Sequence, residues 1–112
     1  MKIAIPLTAG CLSPHFGHCE EFAIVDIDVQ KKEILGKAMH PAPPHEPGYL
    51  PGWLRTLGAE MIIAGGMGHR AQQLFDNDNI AVLVGASAET PERLVTDYLN
   101  GRLESGQNAC DH

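Results

Sequence analysis

Apolar positions along this chain fall into short runs separated by Gly, Pro and polar clusters, a spacing that predicts strands and helices in alternation. Ile3-Ala4-Ile5-Pro6-Leu7 reads as a buried strand closed by Thr8-Ala9-Gly10. Pro6 is expected at its end, because the middle of a sheet needs every N–H. Residues 10–19, broken by Gly10, Pro14 and Gly17, read as a loop. Glu21 to Asp28 alternates as a second strand, with Phe22, Ile24 and Asp26 on one face and Ala23, Val25 and Ile27 on the other. Glu33 to Met39 is a third strand, and the short connection between the two predicts an antiparallel hairpin. Residues 40–48 carry Pro41, Pro43, Pro44 and Pro47 and read as an extended loop. Leu50, Trp53, Leu54 and Leu57 share one helical face, with Pro51 in the first turn and Gly58 as the stop. Met61 to Ala64 is a buried strand, and Gly65-Gly66-Met67-Gly68 leads into a helix from His69 to Phe75. Ile80 to Val84 is the last strand. Thr90 then caps a helix that has Pro91 at its first position and ends at Gly101.

The resulting order is β-β-β-α-β-α-β-α, an α/β fold. Strands one, four and five are expected parallel through helical crossovers. Strand two returns antiparallel and strand three reverses again, so the carboxyl ends of strands one, three and four share one rim. In open α/β sheets that rim is where ligands bind. Residues 1–101 form one expected domain, and 102–112, which lack periodicity, a flexible tail.

At 112 residues the chain suits one core and needs no disulfide to hold it. Three cysteines offer no disulfide framework, and a reduced, cytoplasmic setting is the expectation. No stretch is long and apolar enough to span a membrane. A net charge of −6, with Lys31-Lys32 the one adjacent basic pair, argues against nucleic acid and against an anionic membrane surface as partners.

Six histidines is the unusual count. The expected rim collects Cys11, His15, His18 and Cys19 after the first strand, His40 and His45 after the third, and Met67 and His69 after the fourth. Thiolate and imidazole suit zinc, iron, copper and metal–sulfur clusters. Cys110 and His112 lie on a tail long enough to return to the rim. Each residue also has a structural reading. A lone Cys is commonly a small buried apolar group, His18 and His40 can cap or solvate loops, His45 can fix a turn among the prolines, and His112 is terminal. The Cys-x3-His-x3-Cys spacing of residues 11, 15 and 19 matches no zinc finger. The glycine turn before His69 reads either as an anion site at a helix start or as a tight strand-to-helix turn. It lacks the Gly-Lys-Ser/Thr ending of a nucleotide loop. The first strand has no carboxylate, which counts against two-metal nuclease chemistry.

Ser13-Pro14-His15-Phe16-Gly17 followed by Phe22, the Gly65-Gly66-Met67-Gly68 turn, and Ile80-Ala81-Val82 before the last helix resemble the dinitrogenase iron–molybdenum cofactor biosynthesis family (NifX, the NafY core, the C-terminal part of NifB and the orange protein). The resemblance spans residues 1–101. It implies a ribonuclease H-like motif, a five-stranded mixed sheet ordered 3-2-1-4-5 with flanking helices. It also implies binding and delivery of an iron–molybdenum-type or other metal–sulfur cluster or its precursor, with no enzymatic activity. The resemblance carries His15 over as a cofactor-binding residue, and Phe16, Gly17, Gly66, Met67, Gly68 and His69, in or next to the matching motifs, complete the expected cofactor-binding set. Candidate metal ligands are Cys11, His15, Cys19, His45, Cys110 and His112. Expected partners are the cluster cargo and other cofactor-assembly proteins or ATPases. The alternatives are a small regulatory domain that binds an anion or a protein and has structural cysteines, or a ribonuclease H-like enzyme.

Overall fold

A computed structural model describes residues 1–14, 16, 19–43 and 48–103. The elements are β1 (Lys2–Thr8), β2 (Cys11–Leu12), β3 (Glu21–Asp28), β4 (Glu33–Pro41), α1 (Tyr49–Thr56), β5 (Ala59–Ile63), α2 (His69–Asn77), β6 (Ala81–Leu83) and α3 (Pro91–Leu99). One mixed sheet runs β4-β3-β1-β5-β6, and β2 pairs with β1 beside it. β1–β3 and β3–β4 are antiparallel, whereas β1–β5 and β5–β6 are parallel. The carboxyl ends of β1, β4, β5 and β6 therefore share one rim.

The sheet has six strands where five were expected. The extra one, β2, folds back on β1 through Ala9 and Gly10, both at positive φ (54° and 82°). That is the two-residue hairpin geometry, but with Ala in place of the Asn or Asp that normally announces it. The Glu20 carboxylate accepts a hydrogen bond from the Ala9 N–H at 2.8 Å and helps hold this turn.

Pro6 lies inside β1, opposite Phe22, and not at its end. Its carbonyl accepts from the Ser13 N–H at 2.9 Å, so its main-chain groups face away from β3. On that side pairing with β5 has already stopped at Ala4. The missing N–H thus falls between the end of β2 at Leu12 and the end of β5 pairing at Ala4, where neither ladder runs.

Alternation along the strands divides the core into two layers. Ile3, Ile5, Leu7, Ala23, Val25 and Ile27 pack under Leu94, Val95 and Leu99 of α3. Ala4, Phe22, Ile24 and Ile62 pack under Leu54 of α1 and Phe75 of α2. Thr90 caps α3 as expected, its hydroxyl accepting from the Arg93 N–H at 3.3 Å. Lys37 of β4 pairs with Glu92 of α3 across the surface. Among the described residues no helix is long and apolar enough to cross a membrane.

Candidate functional site

The rim is assembled from the loop after β1, which is the connection to β3 and carries β2 within it, the end of β4 and the turn after β5. Residues 13 and 14 lie directly on the turn. A Cβ at Gly65 would stand 3.1 Å from the Ser13 carbonyl oxygen and 3.2 Å from the Pro14 Cα, so only glycine lets the two backbones approach this closely. The Phe16 N–H donates to the Gly66 carbonyl at 3.0 Å, and the Gly85 N–H to the Gly65 carbonyl at 2.9 Å. The Met67 carbonyl accepts from the Gln72 side chain at 2.8 Å and the Gly68 carbonyl from the Gln72 N–H at 3.1 Å. These bonds fix the turn before α2 begins at His69.

Cys11, Cys19 and His40 lie on one face of this rim. Cys11 sits opposite Thr8, whereas its neighbour Leu12 points into the α3 layer, so strand alternation turns Cys11 toward the α1 and α2 side. Cys19 packs half-buried against the α1–α2 layer. His40 is opposite Phe22, a core residue of that layer, and meets Trp53 edge to face with ring centroids 6.2 Å apart. Burial pushes the Cys19 thiol up to about 11, the dominant effect, against a weaker lowering by its own backbone. It is a protonated thiol at neutral pH, and a metal must displace that proton to bind it.

The remaining candidates are distributed differently. Phe16 and Met67 are core residues, 9% and 1% exposed. Their side chains fill the α1–α2 layer, so any contact with a ligand falls to their main chain. His69 is exposed and lines a groove between α2 and β6 with Gln72, Gln73 and Asp76, on the β6 side of the glycine turn. His15, Gly17, His18, His45, Cys110 and His112 lie outside the described residues, as does the tail from 104 onward. Among the described residues no three His, Cys, Asp or Glu side chains converge to hold a metal ion. Trp53 is a rim residue that its sequence pattern does not reveal. Its helical spacing marked it only as apolar, and what brings it to the rim is the ring of His40, a contact between residues thirteen positions apart.

Comparison with known proteins places this chain in a family. The sequence profile of the dinitrogenase iron–molybdenum cofactor family matches residues 1–101. An uncharacterized protein of Methanocaldococcus jannaschii, MJ0580, is 31% identical over 107 residues, covering 93% of this chain and 90% of its own. The crystal structure of PH0822 superposes with a TM-score of 0.85 at 27% identity, over 94% of both chains. The apo form of the orange protein from Desulfovibrio gigas has the same fold, with a TM-score of 0.72 at 21% identity over 96% of this chain and 93% of that one.

Proposed function

The chain belongs to the dinitrogenase iron–molybdenum cofactor family, and on that premise we propose that it is a carrier that binds a metal–sulfur cluster or its precursor at the carboxyl rim and passes it on. Membership by itself implies a role in the biosynthesis or binding of that cofactor or a related cluster. In this reading the carrier fold is a ribonuclease H-like motif.

The observation that carries it is the shared face of Cys11, Cys19 and His40 beside a glycine turn bonded to the Ser13–Phe16 loop. Thiol, imidazole and main-chain amide are the donors that a sulfide-rich anionic cargo would use. In this reading His15 is the principal ligand, with Cys11 and Cys19 beside it. His45, Cys110 and His112 are further ligands, and His69 with the amides of Gly66 and Gly68 makes the outer wall. A carrier must release its cargo, which favours few protein ligands and an open mouth over a closed four-ligand cage. Loops on a rigid sheet suit that requirement. Neutral imidazole and thiolate are the binding forms, so acidification weakens loading as protons compete. The recipient is a cofactor-assembly protein, and the site has no catalytic role.

The test is protein purified without oxygen, analysed for iron, molybdenum and sulfide, and titrated with tetrathiomolybdate, a soluble molybdenum–sulfide anion, by visible absorbance. The parent should bind. His15→Ala and Cys11→Ser should each weaken binding by about tenfold or more while unfolding at nearly the parent temperature, because the aliphatic core does not depend on the cargo. Equal loading of both variants would show that the assigned ligands are wrong. Unfolding of both would make the residues structural.

A further inference from the structure

The loop after β1 and the turn after β5 extend from strands whose pairing ends at Ala4, so the sheet ladder does not hold them together at the rim. Besides the packing at Gly65, Phe16 joins them. Its N–H bonds the Gly66 carbonyl at 3.0 Å. Its ring stands edge-on to Phe75 of α2, with centroids 5.4 Å apart, and to Phe22 of β3 at 6.2 Å. Phe22 continues to Trp53 of α1 at 5.6 Å, and Trp53 to His40 of β4 at 6.2 Å. Five rings thus form one edge-to-face chain that ties α2, the loop after β1, β3, α1 and the end of β4 into a single unit.

We infer that Phe16 is a positioning residue for cargo binding, which anchors the loop after β1 against the glycine turn while its own ring stays in the core. This role presupposes the carrier function proposed above. A loop containing Gly and Pro that had to be ordered as cargo arrived would lose affinity to that ordering, and a loop already fixed at its middle loses less. Phe16 stands between His15 and Gly17, so its anchor sits at the centre of the proposed ligand segment.

The experiment compares three variants of the full chain, each titrated anaerobically with tetrathiomolybdate and melted by circular dichroism. Phe16→Leu removes the ring contacts. Phe16→Tyr keeps them. Leu94→Ala damages the opposite core layer, under α3, away from the rim. Phe16→Leu should bind about tenfold more weakly than the parent, and Phe16→Tyr and Leu94→Ala should stay within about twofold, even where Leu94→Ala is the less stable protein. Should Phe16→Leu fail to fold, Phe16→Met, apolar and without a ring, takes its place with the same expected loss. Parent-like binding by the ringless variant overturns the positioning role and leaves the carrier reading standing. An equal loss in Leu94→Ala overturns it too, since general destabilisation would then explain the effect. A parent that binds no tetrathiomolybdate overturns both.

Discussion

At the Cys19 sulfur, burial and chemistry pull in opposite directions. Packing against the α1–α2 layer favours the neutral thiol and lifts its pKa from 9.0 to about 11. A folded-state pKa above the ordinary value stabilises the fold fully below pH 9, and that contribution disappears as pH rises toward 11. The parent should therefore lose thermal stability between these two pH values faster than Cys19→Ser, whose hydroxyl does not titrate there; parallel melting curves for the two proteins would contradict this. Cargo that takes the Cys19 sulfur should release one proton at neutral pH, measurable in weakly buffered solution. Residue identity alone reveals which groups can ligate and not how far they are desolvated. For the same reason Phe16 and Met67, which read as binding residues within their motifs, have side chains that belong to the core.

Among the elements, the turn from β5 to α2 depends most on one small side chain. Gly65 is not at positive φ, so its requirement is purely steric, set by main-chain atoms of residues 13 and 14 that cannot swing aside. Gly65→Ala should cost about 1–3 kcal/mol of stability, the range for overpacking a close contact, and should weaken cargo binding by pushing the loop off the turn. Gly68→Ala, with open space around its Cβ, is the control and should change stability far less. Most elements were legible in the sequence, because alternation in 21–28, the helical spacing of Leu50, Trp53, Leu54 and Leu57, and the Thr90-Pro91 cap are local signals. β2 was not, since a two-residue strand has no period and its turn uses Ala9. Pro6 was misplaced because the site where β1 parts from β5 depends on a strand more than fifty residues away. The rim followed from strand parity. Which candidates share a face needed the register that sets His40 opposite Phe22 and Cys11 opposite Thr8.

For the whole molecule, the sheet order places a local half beside a remote one. β3 and β4 follow β1 closely and pair by short connections, whereas β5 joins β1 by the remote pairs Lys2 with Ala59, Ile3 with Met61 and Ala4 with Ile62. Closing so long a segment is the slower event in chain folding. The meander of β1, β3 and β4 should then gain amide protection before β5 does in pulsed hydrogen exchange during refolding; simultaneous protection, or β5 first, would contradict this order. The loop after β1 belongs to the early half and the glycine turn to the late one, so Phe16 can bond Gly66, and residues 13 and 14 can pack on Gly65, only when both are in place. In a carrier, the join at the rim acts as a check on maturity. A chain still emerging or half refolded has the proposed ligands but not the seat, and on the carrier reading it should take up cargo no faster than β5 docks.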